Sequence, residues 1–107
     1  SAPADAAKAW SERTGVVPIN HIVAVKESFA KEHPAAVAEV YRMLIESRKL
    51  AGEQPAETMR DMQPFGFDAL DVSLRKVIDY AFDQQMIKKR YSPEELYGDV
   101  REILEKN

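Results

Sequence analysis

The chain is 107 residues long, 45% hydrophobic and 31% charged, with a formal net charge of −3 and a pI near 5.4. That suits one modest core, and an acidic balance does not steer a protein toward nucleic acid. It has no cysteine, which excludes disulfide frameworks, thiolate catalysis and Cys-based zinc sites.

The first element is Ala-rich. Pro3 to Arg13 (PADAAKAWSER) favours a helix. Ala6, Ala9, Trp10 and Arg13 fall at helical spacing, which turns Trp10 inward. Gly15 supplies the left-handed residue that ends the helix.

The next stretch, TGVVPINHIVAVK (Thr14–Lys26), changes character. Its second half predicts a β-strand over 19–26. One face carries Ile19, His21, Val23 and Val25, the other Asn20, Ile22, Ala24 and Lys26. Beyond His21 both faces are apolar, as in a strand covered on both sides. No second strand follows anywhere in the sequence. A lone buried strand leaves its backbone groups unpaired. The segment is therefore extended outside any sheet, or pairs with another copy, or pairs with sequence outside these 107 residues.

The rest reads as helix. Glu27 to Lys31 predicts a short helical turn. His33-Pro34 then opens a helix ended by Gly52, because Pro suits the first helical position. Val37, Val40, Tyr41, Leu44, Arg48 and Ala51 follow the i, i+3, i+4, i+7 rule. Glu39, Arg42 and Glu46 stand at ion-pair spacing on its wet side. Pro55 to Met62 predicts a shorter helix. Gln63 to Asp68 is a loop broken by Pro64 and Gly66. The clearest helix runs from about Ala69 to Ile87. Its buried stripe is Leu70, Leu74, Val77, Ile78, Ala81 and Phe82; Asp71, Arg75, Lys76, Asp79 and Asp83 face water. Lys88-Lys89-Arg90 follows where cations favour the negative end of a helix. Ser92-Pro93-Glu94-Glu95 is a helix start, and Leu96, Tyr97, Val100, Ile103 and Leu104 form the last apolar stripe. The fold class is mainly α, four to five helices with one strand.

Sequence motifs for phosphate loops, calcium loops or paired catalytic carboxylates are absent. No metal site and no cofactor are evident. No apolar run approaches the roughly 18 residues of a membrane span. His33 reads as a surface or capping residue. His21 differs: it follows Asn20 at the start of an apolar strand, and loops at strand ends are where α/β folds bind ligands. Phe65 and Phe67, around Gly66, read as caps on a core.

Thr14-Gly15, two apolar residues, Pro18-Ile19, Asn20, then His21 and an apolar run resemble the 4,5-dihydroxyphthalate decarboxylase family. The likeness continues through KESFAKEHPAAVAEVYRMLIESRKLA, the Pro64-Phe65-Gly66 loop and Tyr91-Ser92-Pro93-Glu94-Glu95-Leu96-Tyr97, in order and over nearly the whole chain. Leu70 departs from it, standing where the family is expected to carry Asn. The resemblance implies a parent fold like the type II periplasmic solute-binding proteins, with two α/β lobes around a ligand cleft. It implies that residues 1–107 are one C-terminal segment of a longer protein: helix over 1–13, a lobe-crossing segment and strand over 14–26, and helices of the first lobe over 27–107. It places Thr14 and Asn20 at the ligand, His21 as the catalytic group, and Gly15 and Pro18 as structural hinge residues. Two functions follow as expectations. One is a carboxy-lyase acting on an aromatic acid, cytoplasmic; the other a periplasmic protein that captures a small anion without chemistry. The 107 residues alone are expected to be inactive, to expose apolar surface and to self-associate through the strand edge.

Overall fold

The computed structural model describes residues 2–52, 61 and 63–106. The helix expected over Pro55 to Met62 falls almost wholly outside them. The described residues form α1 (Pro3–Thr14), α2 (Glu27–Glu32), α3 (Pro34–Ala51), α4 (Phe67–Asp83), α5 (Pro93–Tyr97) and α6 (Val100–Lys106). The chain divides into two compact units. The first comprises Ser1–His21 and Pro64–Leu96, the second Ile22–Gln63 and Tyr97–Asn107.

The first unit is organised around the exit from α1. Pro3 opens that helix, and Gly15 closes it at φ 71°, its amide donating to the Ser11 carbonyl at 2.9 Å. A left-handed residue there costs glycine little. The chain then buries Val16 and Val17, 2% and 8% exposed, with Ile78 of α4 and Pro93 of α5 also inside. Trp10 is half-buried. Of the stripe expected on α4, Ile78 is buried and Leu70, Leu74 and Ala81 are half-buried. Val77 and Phe82 are exposed.

The expected strand over 19–26 is not formed. From Gly15 to Lys26 the chain has no helix, turn, sharp bend or sheet pairing. The physical reason is the one the sequence raised: a strand needs a partner backbone, and the described residues contain no other strand. Ile22, Val23 and Val25 are 64%, 75% and 38% exposed.

Two helix ends also differ from expectation. α4 stops at Asp83 rather than Ile87. Gln85 takes the left-handed conformation (φ 59°), its amide donates to Phe82 O at 3.0 Å, and Met86 N donates to Ala81 O at 2.8 Å. These two bonds are a Schellman closure, here with Gln where Gly is usual. The last expected helix is split into α5 and α6 by Gly98, at φ 51°. The start of α5 matches its sequence signature. Ser92 N donates to Glu95 Oε2 at 2.7 Å, and Glu95 N to Ser92 Oγ at 3.2 Å, the reciprocal pair of a capping box.

In the second unit α3 packs with α2 and α6. His33 joins α2 to α3 through its backbone: its amide donates to Phe29 O at 2.8 Å, and its carbonyl accepts from Ala36 and Val37. Ala30 is buried, while Val37, Tyr41, Ile45, Val100, Ile103 and Leu104 are half-buried. Val40, Met43 and Leu50 of α3 remain exposed. Arg42 bridges Glu39 (2.6 Å) and Glu46 (2.6 Å) as the spacing predicted. Arg48, half-buried, grips Asp61 through two bonds of 2.7 and 3.1 Å and also donates to Gln63 O. That guanidinium, together with the Gln63 amide, holds the Asp61 carboxyl below the usual carboxylate range.

Candidate functional site

Residues Thr14 to His21 divide into an anchored stem and a free tip. The Thr14 hydroxyl donates to Trp10 O at 2.8 Å and accepts from Val16 N at 3.3 Å. Ser11 Oγ, in a buried residue, donates to Val16 O at 2.8 Å. Val17 N donates to Ser73 Oγ of α4 at 3.0 Å, across 56 residues of sequence. Two buried serines and one threonine thus satisfy the backbone where it enters the core. A buried amide without such a partner costs about 1–3 kcal/mol.

After Val17 this support ends. Pro18, Asn20 and His21 are exposed and Ile19 is half-buried. Among the described residues, none makes a hydrogen bond or ion pair with the side chain of Asn20 or His21. Both ring nitrogens of His21 and the side-chain amide of Asn20 are therefore without a partner among the described residues. Thr14 is different: its one proton is committed to Trp10, so a ligand would find only a lone pair on that oxygen. Gly15 acts as the helix closure already described. The structure therefore keeps Asn20 and His21 together at the tip and places the Thr14 hydroxyl in the stem.

Sequence reasoning missed Ser11 and Ser73. Ser73 had a signal: it borders the apolar stripe between Leu70 and Val77, where a hydroxyl needs a partner once buried. Ser11 had none beyond its place in the last turn of α1. The histidine set aside, His33, is exposed, with Phe29 4.9 Å from its ring and Glu32 3.9 Å from Nε2.

The basic stretch after α4 is engaged by the first unit itself. Arg90 pairs with Asp79 and, at 3.2 Å, with Asp83, and it lies 4.8 Å over the Phe82 ring. Lys89 pairs with Glu95 and sits 5.0 Å over Tyr91. An open hollow there is lined by Phe82, Asp83, Gln85, Ile87 and Lys88; none of these is among the site residues chosen from the sequence. Among the described residues no group of three or more His, Asp or Glu is placed to hold a metal ion, and no helix is long and apolar enough to cross a membrane. No protein-family model, curated protein or solved structure matches the chain.

Proposed function

We propose that the chain contributes the cleft-bordering segment of a carboxy-lyase that decarboxylates a hydroxylated aromatic acid, with His21 as proton donor. The observation that carries this reading is the anchored stem ending in a free imidazole. Val16 and Val17 are held by buried hydrogen bonds, and His21 follows a few residues later with both nitrogens uncommitted. A general acid needs a proton within reach of its substrate, and the anchored stem fixes where the segment that bears His21 leaves the core. The likeness of TGVVPINH to the decarboxylase segment supplies the substrate class.

In the step proposed, the imidazolium gives its proton to the ring carbon bearing the carboxylate. The carbon–carboxylate bond then breaks, its electron pair returns to the ring, and CO2 leaves. Water returns the proton to His21. Asn20, beside it, hydrogen-bonds a substrate hydroxyl or carboxylate. The 107 residues alone provide one wall of such a cleft and turn over nothing.

A second reading is a binder of small organic anions that does no chemistry. It draws on the lack of a described acidic side chain that pairs with His21 and tunes it. Carbon dioxide release and calorimetric binding, measured on the full-length protein with a panel of hydroxylated benzoates and phthalates, separate the two. Release with turnover supports the lyase, binding without release supports the binder, and neither outcome with any acid removes both.

A further inference from the structure

Asn20 and His21 are neighbours that no hydrogen bond restrains. Both are exposed, and among the described residues the Asn20 side-chain amide has no partner. Nor has any backbone group from 18 to 25, the His21 amide included, whereas Val17 N is used by Ser73 and Lys26 O by Ala30 N (3.0 Å). The segment carries no helix, turn or sharp bend. A free asparagine side chain directly before a free backbone amide can close on itself, because the side-chain carbonyl carbon and the next nitrogen complete a five-membered ring. Two things commonly prevent closure. A hydrogen-bonded amide is held in place, and a β-branched residue after the asparagine crowds the nitrogen. Neither obstacle is present here: the His21 amide is uncommitted, and its Cβ is unbranched.

We infer that Asn20 is a site of spontaneous deamidation, in which the His21 backbone nitrogen is the nucleophile. That nitrogen shares its lone pair with the preceding carbonyl, so its proton must first pass to water or hydroxide. The nitrogen then bonds to Asn20 Cγ, the Cγ–Nδ2 bond breaks, and Nδ2 takes up a proton and leaves as ammonia. Water opens the resulting succinimide at either carbonyl. One opening restores the main chain with aspartate at position 20. The other gives isoaspartate, whose main chain is longer by a methylene. One water is consumed and one ammonia released, with no oxidant or cofactor.

The product sets a carboxylate beside His21 and makes the chain one unit more negative than its formal −3. It also removes the NH2 donor of Asn20. If Asn20 holds a substrate, as proposed above, the site loses that donor with age. The cyclisation itself depends on the free backbone and not on the decarboxylase reading.

The sequence's other asparagine is Asn107, so peptide mapping separates the two. The chain is incubated at neutral and mildly alkaline pH, and aspartate and isoaspartate at position 20 are followed by mass spectrometry with isoaspartyl methyltransferase labelling. Ser47→Asn supplies the comparison, because position 47 is also exposed but lies inside α3, where helical bonding holds the next amide. Each site is compared with a free peptide of its own local sequence. Asn20 should react within about tenfold of its peptide, faster as pH rises, while position 47 should be slowed by more than about tenfold. Protection of Asn20 by more than about tenfold would overturn the inference. So would equal protection at positions 20 and 47.

Discussion

Ser73 Oγ ties the segment after α1 to a helix distant in sequence. Its removal tests the stem directly. Ser73→Ala leaves the buried Val17 amide without an acceptor and should lower unfolding free energy by about 1–3 kcal/mol, read from urea titration at unchanged slope. A loss indistinguishable from zero would mean that water replaces the hydroxyl and the stem is not closed. Gln85 tests the opposite direction. It holds a left-handed backbone at φ 59°, with no proline or glycine to make it easy. Gln85→Gly should stabilise the chain by about 0.5–1 kcal/mol, because a side chain at a C′ position strains the closure. His21 and Asn20 are free at the same scale: side chains this exposed can be replaced with little effect on folding, so their substitution reads function rather than stability.

At the scale of elements, most helices were legible. α3 begins at Pro34 and ends before Gly52 because Pro cannot sit deeper in a helix and Gly accepts φ 70°. The capping box at Ser92 was legible for the same kind of reason, two side chains satisfying two local amides. The end of α4 was not, since a Schellman closure on Gln carries no Gly signal, and apolar Ile87 prolonged the pattern past it. The missing strand was legible as a contradiction rather than a location: the segment had strand composition and no partner. Of the candidate site, the exposed pair Asn20 and His21 could be chosen from sequence. The internal use of the Thr14 hydroxyl could not, because it depends on how α1 ends. Hydrogen exchange checks the division within this segment. The Val17 amide should be protected, and amides from Ile19 to Val25 should exchange at near-unprotected rates in dilute solution. The clamp of Arg48 on Asp61 sets a pH dependence. Because the folded carboxylate is held below its ordinary value, its contribution is present above about pH 4 and fades as acid protonates it. Asp61→Asn should cost about 0.2–1 kcal/mol at neutral pH and flatten the stability profile in that acid range, measured by thermal melts across pH.

At the scale of the whole molecule, few of the described residues have fully buried side chains and many large apolar ones are exposed, among them Leu50, Val23, Met86 and Ile22. Exposed apolar surface of this extent usually marks interaction. The passage from one compact unit to the other at His21–Ile22 falls inside the segment that carries both the candidate imidazole and the unpaired backbone. The stem at Val16 and Val17 fixes where that segment leaves the core, and the proposed chemistry belongs to the tip. The central claim is that His21 supplies the proton in a decarboxylation. The most direct test measures turnover of a hydroxylated aromatic acid by the full-length protein with His21→Gln, beside His33→Gln as a control for loss of an exposed imidazole. General acid catalysis typically contributes about 10²–10⁴-fold, so the account predicts a fall of that size in kcat for His21→Gln and a wild-type rate for His33→Gln. A wild-type rate from His21→Gln would contradict it.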